Sequence, residues 1–409
     1  MSASNARFAR WFVLLFTATA LANAVYNVVR VNSSYRALAL GGDAVTVGII
    51  AASFALAPLL VALPVGRAVD RRHAVTALIG GSLLTTAGAG LAAASTSLVL
   101  LGGANVTLGL GQLLFTVGGQ GMIAKRSRAE ELDRRFGGLT LGVSLGQAVG
   151  LPLGGVVTAL VSSGGEHVDT TPGLLTATTL AVLTIPLTCF VRMPKTVSRG
   201  QRSGRQSGLT MLRIPGMKPA MYSSLAVLAS VDVLTAYLPV FGHHYGIGVH
   251  LVTALLTIRT VASMVSRFLL TRLVQAFPRR LLIVSATLCS AVPMALIPVL
   301  PVPWVLAICM VIAGFFMGIG QPLTMTWVVS LVTDQNRGAA LSLRLSGNRL
   351  GQVAVPYLAG ALAGISGVGA VFGLTGVLLG VAAAFTSRAP FNVGQSADSS
   401  RSGRDEKAE

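Results

Sequence analysis

The feature that most constrains this chain is a succession of apolar runs, each about the 20 residues a helix needs to cross a bilayer. Twelve can be marked: 11–31, 44–65, 74–95, 98–122, 138–161, 172–191, 217–241, 251–271, 281–300, 303–331, 343–364 and 368–387. Only 11% of residues are charged, against roughly 25% in soluble proteins. The mean hydropathy of +0.74 agrees. That much apolar surface needs lipid as its solvent. Many of the 47 glycines lie inside the runs, where small residues let membrane helices approach closely. Pro301, Val302 and Pro303 mark a tight turn between the ninth and tenth runs.

The first run follows Arg7 and Arg10 and contains Ala22-Asn23-Ala24, which imitates a cleavage site. It is longer than the roughly 7–15 apolar residues of a signal peptide, so a retained first helix is expected.

Charge placement explains the formal net charge of +18. With the N-terminus in the cytoplasm, the outside links hold Arg30 and Arg36, while 162–171 adds only Glu166 and Asp169. The inside links carry Arg67, Arg71 and Arg72, then Lys125, Arg126, Arg128, Arg134 and Arg135, then seven cations from Arg192 to Lys218, then Arg272, Arg279, Arg280 and Arg337. This asymmetry places both termini in the cytoplasm. The basic residues are spread over separate links without interleaved aromatics, so no nucleic acid partner is expected. Cys189, Cys289 and Cys309 sit in apolar runs without metal spacing and read as packing residues. His243, His244 and His250 share an outside link but lack an evident fourth ligand, so no metal site is expected.

The linker 192–216 is rich in Ser, Gly and Arg and reads as flexible. It divides a bundle at 1–191 from one at 217–387, ahead of a disordered cytoplasmic tail at 388–409. The halves resemble each other. Gly109-Leu-Gly-Gln-Leu-Leu matches Gly318-Ile-Gly-Gln-Pro-Leu, and Gly146-Gln-Ala-Val-Gly-Leu-Pro resembles Gly351-Gln-Val-Ala-Val-Pro. Gly66-Arg-Ala-Val-Asp-Arg-Arg is echoed after the eighth run from Thr271. Matches in order at nearly one offset argue for duplication of a six-helix unit.

With these motifs the chain resembles the major facilitator superfamily over nearly its whole length. The resemblance implies an all-α membrane protein of twelve transmembrane helices in two pseudo-symmetric six-helix bundles, in the bacterial inner membrane and monomeric. The family's loop between the second and third helices reads roughly G-x-L-x-D-R-x-G-R-R/K. Here Gly66, Asp70 and Arg71 match, while Arg72 and His73 depart from it. In the family this loop is a cytoplasmic latch, and Arg344 is a candidate partner for Asp70. Exporters of the family often carry G-x-x-x-G-P-x-x-G-G in the fifth helix. This chain has Gly146, Gly150, Pro152, Gly154 and Gly155, with the proline one place late. The run leans the reading toward efflux; a generic close-packing face is the competing interpretation. Where the family often has a fourth-helix arginine, Asn105 stands here, so any proton coupling needs another ionisable group.

Ionisable groups inside a bilayer are costly and therefore functional leads. Asp232 and Arg259 lie at matching depths, about 12 Å below the outer surface at 1.5 Å per residue. An Asp232–Arg259 ion pair is expected, with Asp232 as the proton-responsive group; a static pair joining two helices is the alternative. Asn23, Tyr26, Asn27, Asn105, Gln112, Gln321, Asn348 and Arg349 are candidates to line a polar cavity. The excess of arginines over Asp232 favours a neutral or anionic organic solute.

No GxxxxGK[ST] phosphate loop occurs and no cofactor is expected. No reactive cluster suggests an enzyme. The leading expectation is proton-coupled export of a small organic molecule by alternating access. Metabolite uptake by symport and a transport-dead sensor or scaffold are the competing readings.

Overall fold

A computed structural model of the protein describes residues 3–69, 73–127, 129–161, 169–191, 208–332 and 337–390. Among them are thirteen helices and no strand. They are α1 Ala3–Ala39, α2 Ala44–Ala68, α3 Ala74–Ala93, α4 Leu98–Arg126, α5 Ala129–Val161, α6 Thr171–Cys189, α7 Gly208–Met211, α8 Met217–His244, α9 Val249–Ala276, α10 Arg279–Leu296, α11 Pro303–Ser330, α12 Arg337–Ser366 and α13 Gly369–Arg388. Twelve are long, and α7 is a single turn. Eleven are long and apolar enough to cross a membrane. The remaining long helix, α12, carries Arg344 and Arg349. Leu60, Val99 and Ile365 are exposed at 72%, 87% and 85%, side chains that hydrocarbon would solvate.

Local chemistry sets several boundaries. Gly41, at φ 79°, takes the left-handed conformation that ends α1. Asp43 then caps α2, its carboxylate accepting from the Thr46 amide at 2.8 Å and from Thr46 Oγ1 at 2.7 Å. These bonds hold the Asp43 carboxyl below the usual carboxylate range. Ser97 caps α4 through the Leu100 amide. Pro303, the first residue of α11, sits where a missing N–H costs nothing.

The chain divides into two compact units. The first joins residues 1–200 to 232–260 and 353–371. The second joins 201–231, 261–352 and 372–409. The remote portions of α8, α9 and α12 therefore belong with the N-terminal helices.

In the first unit, α1 and α5 run parallel along a glycine ladder. A Cβ at Gly138 would lie 2.8 Å from Phe12 Cζ, and one at Gly142 would lie 3.2 Å from the Phe16 carbonyl oxygen. One at Gly146 would lie 2.9 Å from the Ala20 carbonyl carbon, one at Gly150 2.5 Å from Ala24 Cα, and one at Gly154 2.6 Å from Val28 Cγ1. Every fourth residue of one helix meets every fourth residue of the other, as when i±4 ridges interlock. The fifth-helix glycines are thus a close-packing face, and Pro152 lies within the same helix. Gly155 lies in α5 as well.

The second unit has a buried core of Met211, Met217, Ile283, Leu323, Trp327 and Ala389 among others. Met211 falls in the expected linker and Ala389 in the expected tail. The end of the linker folds into α7 and packs, and the chain stays packed past residue 388. Both residues are apolar and flanked by positions that can bury them, which a reading of Ser, Gly and Arg content overlooks. Residues 192–207 and 391–409, most of the expected linker and tail, lie outside the described residues.

Candidate functional site

The first unit holds a buried ion pair that sequence reasoning did not name. Arg30 Nη1 on α1 donates to Asp232 Oδ1 on α8 at 2.6 Å. The Asp232 side chain is 4% exposed and that of Arg30 18%. The Arg30 guanidinium also sits over the Phe54 ring, 5.1 Å from its centroid. Desolvating two charges is costly, and the short contact offsets part of that cost.

Depth alone pointed to Arg259 and missed this partner. Arg30 stood at the edge of the 11–31 run and was counted with the outside-link charges, but α1 continues to Ala39 and carries Arg30 well within it. A signal was present: Asn23, Asn27, Arg30 and Ser34 fall at i, i+4, i+7 and i+11, one polar face of a helix. Arg259 is buried on α9, and its Nη2 lies 3.4 Å from Thr260 Oγ1.

A small cleft opens beside the pair, lined by Arg30, Ser33, Ser34, Ile50, Ala51, Phe54, Asn105 and Ala236. Asn105 Nδ2 donates to Ser33 Oγ at 3.1 Å and to the Leu101 carbonyl at 2.9 Å. The residue standing in place of the family's fourth-helix arginine is thus beside the ion pair. The other first-half candidates differ in role. Asn23 bonds back to the Thr19 carbonyl and Asn27 to the Asn23 carbonyl, each at i−4. Tyr26 is buried, with its hydroxyl 3.1 Å from Thr85 Oγ1 on α3. Gln112 is half-buried on α4.

Beyond the cleft, Tyr237 ties three helices together. Its hydroxyl donates toward the Ala44 carbonyl of α2 at 3.2 Å and the Pro356 carbonyl of α12 at 3.0 Å. The two helices can close on it because Gly48 and Gly360 face each other. A Cβ on Gly48 would stand 3.0 Å from Gly360 Cα and 2.6 Å from the Pro356 oxygen.

The second unit gathers the remaining candidates into one network. Arg344 Nη2 donates to Gln321 Oε1 at 2.8 Å and to the Gln321 carbonyl at 3.2 Å. Gln321 Nε2 donates to the Ser224 carbonyl at 3.0 Å, and Ser224 Oγ donates to Asn348 Oδ1 at 3.1 Å. Arg349 donates to Gln352 Oε1 at 3.0 Å. Ser224 was missed, since a serine in an apolar run gives no signal of its own. Gly66 lies in α2, whereas Asp70 and Arg71 lie outside the described residues. Among the described residues no group of three or more His, Cys, Asp or Glu side chains could hold a metal ion.

Comparison with known proteins agrees with this architecture. The family model of the Major Facilitator Superfamily matches residues 12–255 and 220–401. No curated protein matches the sequence significantly. Among solved structures, a variant of the nucleoside transporter NupG aligns with a TM-score of 0.74 at 14% identity, over 92% of this chain and 99% of that one. A D-xylose-proton symporter aligns with a TM-score of 0.74 at 16% identity, over 94% and 98%. A bacterial homologue of the human lysosomal transporter Spinster, in an inward-facing and occupied conformation, aligns at 0.71 and 16% identity, over 92% and 95%. At these identities the likeness shows the fold alone, and with the family match it establishes that this multi-pass membrane chain belongs to the major facilitator superfamily.

Proposed function

We propose that the protein is a secondary active transporter that exports a small organic solute against a proton gradient. The observation that carries the reading is the buried Arg30–Asp232 pair. It joins α1, from the first six spans, to α8, from the second six, inside one compact unit. Protonation of Asp232 removes one charge and releases Arg30, so one carboxylate chooses between a proton and a guanidinium. A solute reaching Arg30 through the adjacent cleft competes in the same exchange.

In this reading the bundles 1–191 and 217–387 rock about the central site, and both termini face the cytoplasm of a bacterial inner membrane. The Arg30 and Tyr237 end is then external. The loop at Gly66, Asp70 and Arg71 serves as the cytoplasmic latch. The α5 glycines, which first leaned the reading to export, are accounted for by packing on α1. Direction is therefore measured rather than read. Uptake by symport predicts the opposite sign of proton flux.

The test uses full-length protein in liposomes with an imposed pH gradient. A thermal-shift screen of antibiotics, sugars, amino acids and organic acids supplies the solute. The expected result is solute movement opposite to protons, abolished as gradient-driven flux in Asp232→Asn while counterflow persists. Gradient-driven flux of wild-type size in Asp232→Asn overturns the coupling role, and co-directional flux replaces export with uptake.

A further inference from the structure

The second unit carries a buried cation that its packing does not require. Arg344 is 6% exposed and lies seven residues inside α12, about 10 Å at 1.5 Å per residue. Its two hydrogen bonds both leave from Nη2, toward Gln321. Nε is buried with no acceptor, and Nη1 donates to no described residue. No Asp or Glu occurs in the described stretches of this unit, 208–231, 261–332, 337–352 and 372–390. A guanidinium with no carboxylate among the described residues of its unit, and with an unbonded Nε, is an expensive thing to bury.

The internal repeat shows that the helix pair can pack without it. Gly142 and Gly146 of α5 pack on Phe16 and Ala20 of α1. Their counterparts 205 residues later, Gly347 and Gly351 of α12, pack on Met221 and Leu225 of α8. By the same offset, the position of Arg344 corresponds to Leu139. Leu139 is buried at 7% exposure. One half fills the slot with a leucine; the other places a positive charge there and fixes it through Gln321, Ser224 and Asn348.

We propose that Arg344, oriented by Gln321 and flanked by the amide of Asn348, is the anion-recognising subsite of the transporter, and that its solute is a small organic acid bound as the carboxylate. The inference rests on the transport reading and narrows its substrate class. Arginine suits the task because its planar donor array matches a carboxylate and stays charged when buried. Asn348, one turn along the same face, supplies a neutral donor for a second oxygen.

The test is thermal shift of the purified full-length protein with benzoate, salicylate and succinate, each beside its neutral amide. Wild type is expected to gain stability with at least one acid and not with the matching amide. Arg344→Gln and Arg344→Leu, the latter copying the first half, should weaken that response at least about tenfold, the loss of a charge-assisted bond. Arg344→Lys should keep part of it. Asp70→Asn should keep all of it, which separates this role from a latch between Asp70 and Arg344. An acid response retained in both Arg344→Gln and Arg344→Leu, or no response to any of the acids in wild type, overturns the inference. Counterflow with a neutral solute from the wider screen then still reports on transport, so the two readings fail separately.

Discussion

The two halves repeat one helix pairing and finish it differently. In the first, Gly150 brings α5 onto the backbone of α1, with a Cβ position 2.5 Å from Ala24 Cα. In the second, Gly347 and Gly351 of α12 meet the flexible ends of Met221 and Leu225 on α8, the closest Met221 approach being 3.0 Å. A third equivalence, offset by 209 residues, sets Gly109 against Phe54 backbone and Gly318 against Ser263 backbone. Duplication kept the register throughout, while at the α8–α12 pairing the contacts diverged from rigid backbone to adjustable side chain. The charges diverged as well. The first half's Arg30 has a carboxylate partner in Asp232, whereas Arg344 in the second bonds, among the described residues, an amide and a carbonyl.

The largest expected effect tests that charge contrast. Asp232→Asn leaves the part-buried Arg30 without its counter-charge and should cost about 2–3 kcal/mol, below the figure for a fully buried pair. Adding Arg30→Gln should return much of it. Arg344→Leu leaves behind only the neutral acceptors of Gln321 and removes a buried charge, so the melting temperature in detergent should change far less or rise. Equal losses in Asp232→Asn and Arg344→Leu would erase the distinction.

Packing comes next. Gly150→Ala drives a methyl into backbone that cannot give way and should cost about 1–3 kcal/mol. Gly347→Ala meets only a methionine terminus and should cost well under about 1 kcal/mol by the same reasoning. Paired thermal melts decide it, and a Gly347→Ala loss as large as that of Gly150→Ala would show the second crossing to be equally rigid.

Tyr237→Phe sharpens the comparison further, since the residue 205 positions earlier is Asn32, whose Nδ2 donates to the Val28 carbonyl of its own helix. Losing the Tyr237 hydroxyl should cost about 1 kcal/mol, and faster amide exchange at the start of α2 would report it.

The smallest effect concerns helix entry. Asp43 caps α2, while the equivalent position before α9 is Gly248, with no side chain to cap. Asp43→Ala should cost about 0.5–1 kcal/mol. The folded protein depresses the Asp43 pKa, so its contribution is full above the ordinary carboxylate range and disappears as pH falls through the lowered value. Because Asp43 is exposed, a small acid-side difference between wild type and Asp43→Ala is the expected size. No difference between pH 3 and 6 would remove the cap from the account.

The spans were legible because lipid imposes one rule on all of them: length and low charge. The repeat was legible because glycines recur where helices cross closely, and Gly109 and Gly146 mark crossings that Gly318 and Gly351 repeat. Partners across helices were not. Sequence depth ranks Arg259 and Arg30 by distance from a guessed boundary, and with α1 drawn eight residues short Arg30 stood at its edge and read as a link charge. Ser224 and Tyr237 were invisible for another reason, since one hydroxyl in an apolar run says nothing of which carbonyl it will meet. Arg344 was visible as a charge, yet that its hydrogen bonds go to Gln321 is a fact of three dimensions.

Ala389 packs in the same core as Met211, and Gly216 lies close to the Pro390 carbonyl, with a Cβ there 2.8 Å from that oxygen. The two residues that follow α13 thus pack against the core of the second unit. Anyone fusing a reporter to this protein should leave residues 389 and 390 intact and attach the cargo beyond them, because trimming to Arg388 uncorks a seam between α7 and α8.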